Sequence, residues 1–178
     1  MDYIVTIYRI PLERSNEKNK LIQKLKKYNE LTSDNYTKLP DKFTDLDSWP
    51  KKSNLCCINC GFSSNKRMPF FTPHKEDKNG HIVRSLNGMT CSPSCSIFII
   101  NRVADPNVRN ELYRLVHLLC EKMTGIKKID IAASPNPRTL KKFGGTISEE
   151  DYQYRIYCMN KEIMDGLYYD SNFLGDKF

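Results

Sequence analysis

The chain has 178 residues, with 28 Lys+Arg against 21 Asp+Glu, a net charge of +7, and 39% hydrophobic and 11% aromatic residues. That apolar content supports a packed core and excludes wholesale disorder. No run approaches the roughly 18 apolar residues of a membrane helix, the longest being Ile97 to Ile100. No membrane partner and no small-molecule substrate are expected. Met1-Asp2-Tyr3-Ile4 does not open a basic-then-apolar leader, so the chain does not read as secreted. Seven cysteines, four of them in two tight pairs, point in such a chain to metal rather than disulfides.

The basic excess sits in the first two-thirds. Residues 1–55 carry 11 basic and 8 acidic side chains, residues 56–125 carry 9 and 5, and residues 126–178 carry 8 of each. This distribution suits contact with phosphate or an acidic protein, or simply a solubilised surface.

In chain order, Met1–Pro11 reads as a strand that Pro11 ends. Leu12 to Leu31 reads as a helix with Leu21, Leu25 and Tyr28 at helical spacing. Its lysines, Lys18, Lys20, Lys24, Lys26 and Lys27, are either a solvated face or phosphate contacts. Thr32–Asn54, punctuated by Pro40 and Pro50, reads as a linker in which Trp49 packs against the cysteine-bearing module. Ser92-Pro93 and Asp105-Pro106 each supply an N-cap followed by proline at the first helical position. The second helix carries the stripe Leu112, Leu115, Val116, Leu119 and Met123, and Gly125 ends it. Ile126–Ala133 reads as a strand, Ser134-Pro135-Asn136-Pro137 as a turn, and Arg138–Phe143 as a short helix stopped at Gly144-Gly145. Ser148 with Asp151 opens either a helix or a strand through Tyr152–Cys158. From Tyr168 the chain looks irregular.

The fold class expected is α+β: a small treble-clef-like zinc finger, a helical pair, then a short α/β C-terminal part. The expected divisions are 1–50, 51–104 and 105–178.

The strongest chemical signal is Cys57-x2-Cys60 with Cys91-x3-Cys95. Four thiolates match a closed tetrahedral zinc site; sulfur also suits iron, as a mononuclear site or a cluster, though less well. Gly61 permits the tight turn of a Cys57–Cys60 knuckle, and Cys95 falls in the first turn of the Ser92-Pro93 helix, where the dipole favours a thiolate. Cys56 competes with Cys57 for the knuckle, and His74 and His81 lie between the pairs as alternative ligands. Cys120 and Cys158 read as buried thiols. The thirty residues between Cys60 and Cys91 form a hairpin-like excursion whose closure the metal would offset. No zinc-deaminase, His-Glu-x-x-His, Gly-x-Ser-x-Gly or phosphate-loop motif occurs, so an enzyme is not expected.

The zinc-binding half, with Met89-Thr90-Cys91-Ser92-Pro93-Ser94-Cys95 after the knuckle, resembles the MYM/FCS-type zinc finger; Thr90 stands where that type has Phe. Pro69-Phe70-Phe71-Thr72-Pro73 resembles its intervening aromatic-proline strand. With Ile131-Ala132-Ala133-Ser134-Pro135 and Leu140-Lys141-Lys142-Phe143-Gly144-Gly145 downstream, the layout over about residues 50–155 resembles late transcription factors of large cytoplasmic DNA viruses, the poxvirus late gene transactivator 2 type. The first fifty residues match nothing nameable.

The resemblance implies a transactivator of late viral genes acting with the viral RNA polymerase or other late transcription factors. It implies the host cytoplasm, at the viral factory, with the virion as a second location. It carries over Cys57, Cys60, Cys91 and Cys95 as zinc ligands and no base-reading residue. Charge alone nominates Lys66, Arg67, Lys75, Lys78, Arg84, Arg102 and Arg109 as nucleic-acid contacts. The alternative is a zinc-stabilised adaptor that docks a protein through Phe70-Phe71 and the Ile97–Ile100 helix, without touching DNA.

Overall fold

A computed structural model describes residues 37–64, 67–127 and 130–167. The strand expected over Met1–Pro11, the lysine-rich helix, Lys66 and the tail from Tyr168 lie outside these residues. The described residues belong to one compact unit that begins at Thr37.

The architecture is α+β. A three-stranded antiparallel sheet has the order β1 (Lys42–Phe43), β5 (Ile82–Thr90), β4 (Phe70–Glu76). A second, two-stranded antiparallel ladder joins β2 (Ser53–Cys56) to β3 (Ser63–Ser64). Four α-helices follow among the described residues: α1 (Pro93–Ile100), α2 (Pro106–Thr124), α3 (Glu149–Met159) and α4 (Lys161–Leu167).

The excursion between the cysteine pairs is the β4–β5 hairpin. Its register runs Phe70↔Thr90 and Phe71↔Met89, then shifts, so that Pro73 faces Arg84. Here β5 takes five steps while β4 takes two, and the surplus is a bulge over residues 85–88. The bulge throws Leu86 into solvent, 98% exposed, and lays Gly88 against Ile58. At the hairpin tip the Asp77 carboxylate accepts from the backbone N–H of His81 and Asn79 and from Lys42 Nζ. These bonds, the one from the His81 backbone first, hold its carboxyl well below the usual carboxylate range.

Both helical starts follow from their caps. Ser92 Oγ accepts from the Cys95 N–H at 3.3 Å, and Asp105 accepts from the N–H groups of Asn107 and Val108. Gly125 closes α2 with its N–H on the Glu121 carbonyl. The helix alternative holds at Ser148, whose side chain caps α3 by accepting from the Asp151 N–H.

The main core lies between sheet and α2. Leu115, Val116, Leu119 and Met123 meet Phe43, Trp49, Phe70, Phe71, Ile97 and Ile100, with Leu112 partly buried beside them. Trp49 is 2% exposed, donates from Nε1 to the Pro69 carbonyl at 2.9 Å, and lies 5.2 Å from the Phe71 ring and 5.6 Å from Phe43. Its segment is therefore part of the core and not a free linker. The boundary expected at residue 104 is not a break either, because residues on both sides of it share this one core.

Three further expectations are corrected. Residues 126–127 and 130–133 form no strand; Ile131 and Ala133 pack on the core, and the Ala132 N–H is satisfied by the Asn160 side chain at 3.0 Å. Arg138–Phe143 is not one helix but two 3-10 turns, Pro137–Thr139 and Lys141–Phe143, with buried Leu140 between them. Leu140 bridges to Ile147, which folds the chain back so tightly that a Cβ on Gly145 would meet the Thr139 carbonyl oxygen at 2.1 Å. Finally, Phe70, Phe71, Ile97 and Ile100 are buried, so they pack the core and do not form the docking face of the adaptor reading.

Replacing Leu119 by Ala should destabilise the protein by about 2–5 kcal/mol. Loss of the Asp105 cap in Asp105→Ala should cost about 1 kcal/mol. Both are read as shifts of urea unfolding in metal-saturated buffer, with Val108→Ala at an exposed position as the control expected to change little.

Candidate metal centre

Three local structures bring four cysteines together. The first is the turn after β2. The Cys57 N–H donates to the Phe62 carbonyl at 2.7 Å, and the Gly61 N–H donates to the Cys57 carbonyl at 2.8 Å. This tight turn puts Gly61 at φ +73°, where a side chain would be strained. The second is the end of β5, which delivers Cys91; the Ile58 N–H donates to the Met89 carbonyl at 3.0 Å and pins the turn to it. The third is the first turn of α1, which carries Cys95.

The four sulfurs lie within 4.8 Å of one another, and all four residues are buried. Three separations are 3.5 Å (Cys60–Cys91), 3.6 Å (Cys91–Cys95) and 3.9 Å (Cys60–Cys95). A disulfide needs about 2.05 Å, and all seven cysteines are free. Four thiolates on a tetrahedral ion with metal–sulfur bonds of about 2.3 Å have edges of about 3.8 Å. The observed spacings match the tetrahedron.

Crowded together, the sulfurs set one another's protonation. Hydrogen bonds with Cys57 first, then with Cys60 and Cys95, hold the Cys91 thiol well below its ordinary value, and the charge of Arg67 adds to this. Contact with Cys57 pushes Cys60 and Cys95 the other way. Close-packed buried sulfurs cannot all be anionic without a cation among them. The group fits a divalent ion, and four protein sulfurs fill a four-coordinate shell.

The alternative ligands stand apart. Cys56 and His74 are exposed. His81 Nδ1 lies 3.1 Å from Asp77 and 3.2 Å from Lys42 Nζ, at the hairpin tip. Cys120 is buried, and burial pushes its thiol up to about 12. Cys158 is exposed, contrary to expectation: α3 turns Tyr152 and Ile156, one helical turn apart, inward, and a residue two positions beyond Ile156 faces away.

The C-terminal part covers the site. Leu140, Tyr152, Ile156 and Met164 pack with the four cysteines and Met89. Asn59 Nδ2 donates to Ser134 Oγ at 3.0 Å, and the Ser134 N–H donates to the Ser94 carbonyl at 3.0 Å. One turn residue thus ties the knuckle to α1. Tyr152 stacks on Phe62 with ring centroids 6.2 Å apart and donates to the Pro135 carbonyl at 2.7 Å. The Ser134–Pro137 turn is legible in the sequence but its bracing role is not, because the polar partners are 75 residues apart.

The basic candidates do not converge on one site. Lys75 and Lys78 are exposed on the hairpin. Arg84 reaches Asp41 at 3.4 Å. Arg102 is exposed with its guanidinium 4.7 Å from the Phe98 ring centroid, and Arg109 donates to the Val103 carbonyl at 3.2 Å. Arg67 is the correction: it is 5% exposed and donates to Gln153 Oε1 at 2.8 Å, turned inward and away from any phosphate backbone. Among the described residues, no helix is long and apolar enough to cross a membrane.

Comparison with protein-family models, with curated proteins and with solved structures finds no match to this chain.

Two thiols, Cys56 and Cys158, should react rapidly with a thiol reagent in metal-loaded protein. A chelator should release four more, and Cys120, with almost no thiolate near neutral pH, should react last, on unfolding. Because each ligand must be deprotonated, lowering the pH should expel the metal, and raising it should restore binding. Elemental analysis should find one divalent ion per chain, lost in Cys60→Ser and Cys95→Ser but retained in Cys56→Ser.

Proposed function

We propose that the chain is a zinc-finger transcription factor of the viral late-transactivator kind. In this reading the metal is zinc, and the knuckle, hairpin and α1 form a treble-clef-like finger. The carrying observation is the buried four-sulfur cluster at tetrahedral spacing. A closed all-sulfur shell is the chemistry of a structural zinc, since a catalytic zinc keeps a position for water or substrate. The zinc's role is then to hold a surface in place, and the work is done by what that surface presents.

Lys75 and Lys78 on the hairpin, with Arg102 at the α1–α2 junction, supply sequence-blind phosphate contacts. The partners are the viral RNA polymerase or its late factors together with nucleic acid, and the location is the host cytoplasm at the viral factory. The resemblance over residues 50–155 supports this assignment, as does the positive net charge.

A second reading, a zinc-stabilised adaptor that binds protein and not DNA, is favoured by one observation. Leu86 is 98% exposed on a bulge whose Gly88 lies against Ile58 of the knuckle, itself 46% exposed. The two apolar side chains, on a bulge and a turn that touch through Gly88, are what a partner protein would cover in this reading.

Duplex-DNA affinity measured between 50 and 200 mM salt separates the two readings. Under the first, replacing Lys75, Lys78 and Arg102 by Gln should flatten the log–log salt slope by about 0.9 for each phosphate no longer neutralised. Leu86→Asp should leave that slope unchanged. A wild-type protein with no salt-dependent DNA affinity, whose capture of the polymerase is abolished by Leu86→Asp, would establish the adaptor instead.

A further inference from the structure

We infer that Arg67 is the internal counter-cation of the metal centre, and that it acts partly through Gln153, which it orients toward the cysteine sulfur. The inference rests on reading the cluster as a zinc site.

Four thiolates around a divalent ion leave a net charge of −2 in a buried place. An uncompensated buried charge is costly, and a cation of opposite sign close by reduces that cost. Arg67 meets the requirement. It is 5% exposed, it lies between β3 and β4, and a single side chain, Gln153, spans the gap from its guanidinium to the Cys60 sulfur. Guanidinium also remains charged at every pH the fold survives.

Gln153 adds a second route. Its Oε1 accepts from Arg67 Nη2 at 2.8 Å. An amide whose oxygen is engaged in this way must present its nitrogen on the other side, and Gln153 Nε2 lies 4.0 Å from Cys60 Sγ. Arg67 therefore fixes which end of the amide faces the sulfur. An N–H directed at a thiolate disperses its charge, as partners around a metal's ligands generally do. Because Gln153 belongs to α3 and Arg67 precedes β4, the same contact fastens the C-terminal helix over the metal.

The test is zinc affinity of the full chain, by competition with a chromophoric chelator, together with the charge-transfer spectrum of the cobalt-substituted protein. Arg67→Met should weaken zinc binding by about 10–100-fold, the range for residues that support metal ligands, and should shift the cobalt–sulfur band. Arg67→Lys keeps the charge and should stay closer to wild type than Arg67→Met. Gln153→Met removes the orienting amide but not the cation, and should cost less than Arg67→Met. Lys161→Met, an exposed cation, should change neither readout.

If Arg67→Met does not fold, Arg67→Lys and Gln153→Met carry the comparison. A lysine variant with the weaker affinity of the two would overturn the charge assignment. Wild-type affinity and an unshifted cobalt band in Arg67→Met would overturn it while leaving the zinc reading intact. A wild-type chain that binds neither zinc nor cobalt would overturn both.

Discussion

Four sulfurs forced within a few ångströms of one another are the constraint on which this structure turns. Like-charged thiolates repel, buried thiols resist ionisation, and only a cation reconciles the two. Everything around the cluster serves that convergence. The knuckle is bonded to the end of β5, the cap of α1 points the Cys95 N–H at Ser92, and the hairpin closes the thirty-residue gap between the pairs. The apolar layer of Leu140, Tyr152, Ile156 and Met164 then keeps water from the sulfurs. Such a layer makes ligand exchange slow as well as unfavourable, which suits an ion with a structural duty.

Much of this is legible in the amino-acid order because the signals are local. Cysteine pairs at spacings of three and four, a glycine immediately after the first pair, and Ser-Pro or Asp-Pro ahead of an apolar stripe each act within a single turn. The illegible parts depend on distant partners. Arg67 sits in a basic stretch and looks like a surface cation, yet it is turned inward, where it meets Gln153 from 86 residues away. Ile126–Ala133 has the β-branched residues of a strand, but its described residues have no ladder to join. Arg138–Phe143 has the residues of a helix, yet burial of Leu140 at a fold-back breaks it into two short turns. Cys158 has aromatic neighbours that suggest burial, but the phase of α3 decides otherwise.

The charge pattern divides in a similar way. Net charge alone puts seven basic residues in one functional class, whereas the structure separates those described into different duties. Arg84 is paired with Asp41, Arg109 braces the start of α2, and Arg102 lies over Phe98. Lys75 and Lys78 on the hairpin, and Arg102 above Phe98, remain as exposed cations. Positive charge is thus a property of the whole surface, while any phosphate contact belongs to a small part of it.

The cover over the metal has a consequence for synthesis. All four ligands precede residue 96, while the helix that shields them begins at Glu149. Gln153 follows Cys95 by 58 positions, so at ribosomal speeds of about 5–20 residues per second the lid trails the cage by about 3–12 s. The nascent chain therefore meets the metal pool around the ribosome with an open cage, in which ions can exchange before α3 docks. A metal taken up during that interval enters an open four-sulfur site, and the docking of α3 then covers it.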